Sequence, residues 1–127
     1  MTDVLEIIRA YGAAWLEADE AERRRLLQIS WSEDGAYEDP TASVVGREAL
    51  IRHIADFQMR LPRTTIVLAS GVDHHHGKFH FLWKMVGPDG QVSAEGRDFG
   101  EFDRDGRICR IAGFFGSPPP LPGALVF

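Results

Sequence analysis

The spacing of apolar and polar positions predicts three helices in the first half of the chain. Between positions 3 and 19, apolar residues recur three or four positions apart, as on one face of a helix: Val4, Ile8, Tyr11 and Trp15. Tyr11 is therefore expected to point into the core. A shorter helix is predicted from about Glu20 to Ile29, and its charged residues are assigned to a solvated face: Glu22, Arg23, Arg24 and Arg25.

The third predicted helix starts at Gly46 and runs to about Arg60, where Pro62 follows and ends it. Its apolar stripe has spacings of four, three and four residues, at Leu50, Ile54, Phe57 and Leu61. Between the second and third helices, a turn is expected at positions 32–35 and a short extended piece at positions 36–38. Pro40 holds Asp39 out of the helical region, so Asp39 is placed at a bend.

The period of the pattern changes to two in the second half of the chain, which is typical of half-buried strands. Strands are predicted at positions 64–71, 78–85, 91–103 and 107–115, with a loop at 72–77 and hairpin turns at 87–90 and 103–106. Helices that precede an antiparallel meander predict an α+β fold in which three N-terminal helices pack on one side of a curved, mainly antiparallel sheet.

Composition limits the classes of function that this chain can have. The 127 residues, 44% hydrophobic and 26% charged, fit one domain spanning positions 1–127 with a proline-rich, apolar tail at 117–127. A net charge of −5 disfavours binding to nucleic acid. The chain has no run of about 18 apolar residues, so no membrane helix is predicted. The single cysteine, Cys109, excludes an internal disulfide and fits a reducing, cytoplasmic location.

The strand at 91–103 carries a carboxylate on the face that is expected to meet the core. One face is mostly polar, whereas the other has Asp98 among small and apolar residues: Val92, Ala94, Gly96, Gly100 and Phe102. Burial raises the pKa of an unpaired carboxyl and keeps it neutral, and a neutral acid is a hydrogen-bond donor. Asp98 is therefore a candidate functional residue. A structural aspartate with satisfied hydrogen bonds, or a shifted strand register, would explain the same pattern.

Tyr11 and Asp39 are the two other candidates. A tyrosine on a buried stripe needs a partner for its hydroxyl, which a backbone carbonyl or a ligand would supply. Asp39, before Pro40, is either a turn or capping residue or part of a site.

Together these three residues and their surroundings resemble the ketosteroid isomerases and the SnoaL-like proteins of the nuclear transport factor 2-like superfamily. The segments that carry the resemblance are 9–14, 36–40, 98–102 and 113–116, with Gly46, Ile51-Arg52 and Leu61-Pro62 in the third helix. The resemblance implies a cone-like fold that encloses an apolar pocket. It also implies that Asp39 is a general base that moves a proton next to a ketone, while Tyr11 and protonated Asp98 form an oxyanion hole. A neutral, hydrogen-bond-donating aspartic acid is already known from the ketosteroid isomerases, so the interpretation of Asp98 agrees with an established case.

The resemblance also implies the remaining features of the site. The substrate or ligand would be small and apolar or polycyclic, without metal or organic cofactor. The pocket would be lined by apolar side chains: Trp15, Ile54, Phe81, Trp83, Met85 and Phe115. A polyketide cyclase, a dehydratase and a noncatalytic ligand-binding or dimerisation domain remain open, because the superfamily uses one fold for several functions.

Four other features have less functional weight. A homodimer is expected through the outer sheet face, which bears His80, Lys84, Arg97 and Phe99. Consecutive side chains of an extended segment point in alternating directions, so His74-His75-His76 is interpreted as a solvated loop and not as a metal site. Cys109 is expected to be a small hydrophobic residue of the core. The tail at 117–127 is expected to cover an apolar patch or the mouth of the pocket.

Overall fold

The computed structural model describes residues 3–127 as three helices and a seven-stranded sheet. The helices are α1 (Val4–Leu16), α2 (Glu20–Ser30) and α3 (Arg47–Arg60). Aspartates start the first two: Asp3 accepts a hydrogen bond from the amide of Leu5, and Asp19 accepts one from the amide of Glu22. The three predicted helices are confirmed to within a few residues at each end.

The sheet is mixed and wraps around one side of the helices. Its strands are β1 (Trp31–Asp39), β2 (Ala42–Val45), β3 (Thr65–Leu68), β4 (Asp73–His75), β5 (Lys78–Val86), β6 (Val92–Phe102) and β7 (Ile108–Phe115). They lie in the order β2-β1-β7-β6-β5-β3, with β4 also paired to β5. Only the β1–β7 pair is parallel among the pairs of the described chain. The predicted α+β, cone-like architecture is confirmed.

The predicted turn at positions 32–35 is wrong, because the chain is already extended there. β1 begins at Trp31 and continues to Asp39. The pairing between β1 and β7 shifts register between Trp31 and Ala36, so this stretch is an irregular strand. A side chain at Gly35 would overlap the Trp31 indole, at 2.5 Å from its Nε1. Glycine at this position signals close packing and not a turn.

Two short strands of the structure, β2 and β4, are not predicted by the sequence pattern. The predicted loop at 72–77 contains β4, which extends the sheet beside the first half of β5. A tight turn after β1 leads into β2, where Asp39 pairs with Ala42. β4 is exposed at all three positions, and the burial of β2 alternates over only four residues, too few to mark a strand in the sequence.

Arg23 is buried, which corrects its assignment to a solvated face. Only 3% of its surface is exposed. Its guanidinium donates to the backbone oxygens of Glu17 and Ala18 at the end of α1, and to the side chain of Gln58 on α3. Gln58 in turn donates to the backbone oxygens of Trp15 and Glu17. This network fixes α1 against the other two helices.

Cys109 occupies a bulge and is only partly buried. In the β6–β7 pair, Glu101 pairs with Arg110 and Phe102 with Ile108, so Cys109 has no partner residue across the ladder. The bulge changes the alternation, and Ile108 and Ile111 both face the core with no exposed surface. The sequence predicted Cys109 on that face because a strand without a bulge alternates its side chains regularly.

The proline-rich tail is exposed and lies outside the wall of the main cavity. Residues 117–127 are exposed throughout, and no residue of the tail lies on the wall of the main cavity. The tail therefore does not line the mouth of this cavity, and the expectation that it covers an apolar patch stays a prediction.

Candidate active site

An apolar cavity of about 550 Å³ lies between the helices and the inner face of the sheet. This volume is in the range of small-molecule sites. Five of the six predicted pocket residues are on its wall: Trp15, Phe81, Trp83, Met85 and Phe115. Ile54 is not on the wall. It points into the core between α3 and the sheet and is completely buried, so its assignment to the pocket is corrected.

Asp98 stands on the inner face of the sheet, on the cavity wall. The burial of β6 alternates as the sequence predicted, with Gly96, Asp98 and Gly100 buried and Ser93, Glu95 and Phe99 exposed. Burial, followed by a smaller contribution from the negative charge of Asp39, raises the pKa of Asp98 to about 7, although the Trp83 hydrogen bond opposes the rise. Asp98 therefore titrates near neutral pH, and its protonated form can donate a hydrogen bond.

Trp83 and Gly113 fix the orientation of the Asp98 carboxyl group. The Trp83 indole Nε1 donates to Asp98 Oδ1 at 3.0 Å, inside the protein. On the other side, Gly113 pairs with Asp98 across the β6–β7 ladder. A methyl group on Gly113 would lie 2.8 Å from Asp98 Oδ1 and 3.5 Å from Asp39 Cβ. The two aspartates therefore border one small volume, which the missing side chain at position 113 leaves open.

Tyr11 reaches the same cavity from α1. Its ring is 4% exposed and stacks on Trp31, with ring centroids 5.5 Å apart. Burial, together with the negative charge of Asp98, raises the pKa of the Tyr11 hydroxyl well above its usual value. The phenol stays neutral and can act as a hydrogen-bond donor.

Asp39 is at the end of β1, where it is partly exposed. Its Oδ2 accepts a 2.5 Å hydrogen bond from the Tyr37 hydroxyl, and its Oδ1 accepts bonds of 2.7 Å from both the amide and the hydroxyl of Thr41. Burial alone raises the pKa of Asp39, but the hydrogen bonds from Tyr37 and Thr41 outweigh it and lower the pKa below its ordinary value. Asp39 is thus ionised at neutral pH.

Sequence reasoning missed three residues of the site: Tyr37, Thr41 and His53, which all line the cavity. Tyr37 was detectable in principle, because it stands two residues before Asp39 on the same strand and thus on the same face. Thr41 follows a proline turn, where a short side chain commonly bonds to a nearby carboxylate. No local pattern identifies His53.

His53 lies at the edge of the α3 stripe, between two aromatic rings of the cavity. Its imidazole is 5.4 Å from the Tyr37 ring and 5.7 Å from the Trp15 ring. Burial lowers the pKa of His53, although the negative charge of Asp39 opposes this shift. The imidazole is therefore neutral at pH 7 and can donate from one nitrogen and accept on the other.

The histidine cluster at positions 74–76 lies away from this cavity. His74 and His75 are exposed in β4, and His76 has a positive φ of 52° in the turn that follows. Within residues 3–127, no group of three or more metal-ligating side chains is arranged around a common point. None of the described helices has the length and apolar character needed to cross a membrane.

The chain matches no protein-family model and no curated protein. Among solved structures, it is similar to a candidate isomerase of the SnoaL-like family from Agrobacterium tumefaciens strain C58. That match has 33% identity and a TM-score of 0.85, and it covers 92% of this chain and 100% of the other.

Two more distant structures share the fold. One is a candidate SnoaL-like polyketide cyclase from Jannaschia sp. CCS1, with 16% identity, a TM-score of 0.70 and coverage of 88% of this chain and 83% of the other. The second is a nuclear transport factor 2-like protein of unknown function from Exiguobacterium sp. 255-15, with 16% identity, a TM-score of 0.71 and coverage of 88% and 99%. The fold, the cavity and the 33% identical relative lead to one conclusion: this chain belongs to the SnoaL-like family of the nuclear transport factor 2-like superfamily.

Proposed function

We propose that this protein is an isomerase that moves a proton next to the ketone of a small apolar or polycyclic substrate. Asp39 is the general base, and Tyr11 and protonated Asp98 donate hydrogen bonds to the oxygen that becomes negative. The observation that carries the proposal is that one ionised carboxylate, one neutral phenol and one carboxyl group with a pKa raised to about 7 line the same apolar cavity.

The reaction is balanced by a single proton. Asp39 removes a proton from the carbon between the carbonyl group and the double bond. The electrons of that C–H bond form a double bond to the carbonyl carbon, and the π electrons of the carbonyl group move onto its oxygen. The resulting dienolate accepts hydrogen bonds from Tyr11 and Asp98. Asp39 then returns the proton to the far carbon of the conjugated system, and the enolate electrons restore the ketone. No electron acceptor is consumed.

The hydrogen bonds to Asp39 leave space for this role. A carboxylate has about four lone-pair sites. The Tyr37 hydroxyl occupies one of them and Thr41 occupies two, so one site on Oδ2 is available to the substrate. These bonds hold the base in one orientation, at the expense of some basicity. Tyr37 and Thr41 therefore position the base in this proposal.

The direct test measures isomerisation of β,γ-unsaturated cyclic ketones through the absorbance of the conjugated product. Asp39→Asn is expected to lower kcat about 10²- to 10⁴-fold, the usual contribution of a general base. The matched control is Glu38→Gln, because Glu38 is the neighbouring carboxylate, faces away and pairs with Arg110 at 3.1 Å. Absence of conversion with all such ketones, or an unchanged rate in Asp39→Asn, would refute the mechanism.

A polyketide cyclase or a dehydratase is the second candidate. Its specific support is the pKa of Asp98, because an acid that titrates at about 7 can protonate a substrate oxygen or a leaving hydroxyl. Ring closure also begins with removal of a proton next to a carbonyl. Product analysis separates the candidates. Dehydration lowers the mass by one water, whereas isomerisation and aldol ring closure both conserve it and are distinguished by the new carbon–carbon bond in the NMR spectrum of the cyclised product.

A further inference from the structure

Two arginines lie on the cavity wall without an ion-pair partner among residues 3–127. Arg9 on α1 and Arg60, the last residue of α3, are both exposed and both line the cavity. Neither guanidinium is within 4.0 Å of a carboxylate in the described chain, unlike Arg24, which pairs with Glu48. These two arginines and the exposed apolar residues near them, Leu16, Leu61 and Leu68, form the rim of the cavity.

The rim is positive although the protein as a whole carries a charge of −5. The charged side chains of the wall are Arg9, Arg60, Asp39 and Asp98. The charge of Asp39 is engaged by hydrogen bonds from Tyr37 and Thr41, and Asp98 lies deeper, where burial favours its neutral form. The charge of Arg60 also reaches the wall, because it adds to the burial that lowers the pKa of His53.

We propose that the cavity binds an apolar ligand that carries an anionic group, a carboxylate or a phosphate, held at the rim by Arg9 and Arg60. The identity of the substrate rests on the proposed function: it would be a keto acid whose ketone reaches Asp98 and Tyr11. Contact with the apolar wall contributes to the affinity for the ligand but does not fix the orientation of the ligand, because the hydrophobic effect is not directional. An anion at the rim fixes which end of the ligand enters the cavity, because guanidinium groups bind planar carboxylates and phosphates with directed pairs of hydrogen bonds.

The test compares two probes of nearly the same shape by calorimetry at about pH 7: 1-naphthaleneacetate, which is anionic, and 1-naphthaleneacetamide, which is neutral. The acetate is expected to bind more tightly. Arg9→Gln and Arg60→Gln should each lower its affinity about two- to fivefold, the range of an exposed ion pair. Their effect on the amide should be smaller. Arg52→Gln is the matched control, because Arg52 is also exposed on α3 but is absent from the cavity wall.

Any of three results would overturn the proposal: the acetate binds no more tightly than the amide, Arg9→Gln and Arg60→Gln both leave the affinity for the acetate unchanged, or Arg52→Gln lowers that affinity as much as the rim substitutions do. Raising the salt concentration from about 50 to about 500 mM should reduce the acetate preference, because screening acts on exposed charges. Binding of 1-naphthyl phosphate above the acetate would identify phosphate as the preferred anion, and the reverse order would identify carboxylate.

The measurement separates this inference from the proposed chemistry. Calorimetry detects binding without turnover, so a protein that isomerises no ketone but prefers the acetate in an Arg9- and Arg60-dependent way would refute the isomerase and retain the anion site. Conversely, a protein with Asp39-dependent isomerase activity and no preference for the anion would retain the isomerase and refute the site.

Discussion

The end of β1 and the middle of β6 each present an aspartate to one cavity, yet they give the two carboxyl groups opposite properties. Asp39 at the strand end is partly exposed and accepts three hydrogen bonds, which keep it ionised. Asp98 in the centre of the sheet is 8% exposed and accepts one hydrogen bond, from Trp83. The comparison teaches that solvent exposure and hydrogen-bond donors, and not residue type, decide which carboxyl group has a lowered pKa and which a raised one.

The largest expected effect comes from replacing each carboxyl by an amide of the same shape. Asp39→Asn loses the base and should lower kcat by about 10²-fold or more. Asp98→Asn retains an N–H donor while its oxygen can still accept from Trp83, so its loss should be clearly smaller. Steady-state kinetics on one ketone measures both variants. A greater loss in Asp98→Asn would exchange the two roles and contradict the comparison.

Folding stability should show the cost of burying Asp98. Its pKa rises from an ordinary value of 3.8 to about 7 in the folded state. Between these values the folded protein binds more protons than the unfolded protein, so this residue makes stability fall as pH rises from about 4 to 7. Asp98→Asn removes the effect and should be more stable than the unmodified protein at pH 8, by up to about 4 kcal/mol.

Chemical denaturation of both proteins at about pH 5 and pH 8 checks this prediction. The stability difference should be largest at pH 8 and fall to less than half of that value at pH 5, because Asp98 is then neutral in the folded protein but still largely ionised in the unfolded protein. A difference that does not change with pH would mean that the carboxyl is not titrating in this range.

Removing the Tyr37 hydroxyl should bring the pKa of Asp39 closer to that of Asp98. Tyr37→Phe takes away the hydrogen bond that helps to lower the pKa of Asp39, so that pKa should rise. The acidic limb of the kcat profile should move to higher pH, while the alkaline limb near pH 7, assigned to Asp98, should stay in place. Tyr11→Phe serves as the comparison: it should lower the rate with less movement of the acidic limb.

The smallest effect on the site is expected from the opposite face of β6. We propose that this outer face pairs with the same face of a second copy, because Phe99 stacks on His80 at 4.3 Å and leaves 43% of its own surface exposed. Sedimentation equilibrium should give a dimer that Phe99→Glu weakens. Val45→Glu on β2 is the control, and a monomer at high concentration would remove the proposal.

The fold was largely predictable because long, regular elements carry a periodic signal. The apolar stripe of α1 and the alternating faces of β6 predicted the helix and the strand, and they also predicted that Tyr11 and Asp98 point inward. The irregular parts were not predictable in this way. The bulge at Cys109 breaks the alternation of β7, and the turn-like sequence around Gly35 forms an irregular strand in which Gly35 packs against the Trp31 indole.

The candidate site was predictable only where a residue contradicted its own pattern. Asp98 stood among small and apolar residues, and this anomaly identified it. Arg23 and His53 gave no such signal, because an arginine in a charged run and a histidine at the edge of a stripe are ordinary on a surface. Their burial depends on α1, α3 and β1, which are distant in sequence.

The sequence by itself determined the order of the elements, the inward faces and the presence of an acid where the core should be, because these follow from periods of two and 3.6 residues within one segment. Only the tertiary structure decided that Asp39 and Asp98 border one cavity, that Ile54 lies behind its wall, and that Arg9 and Arg60 both line it. The reason is physical: a pKa, a cavity and a charged rim arise from contacts between distant segments, and no local pattern encodes those contacts.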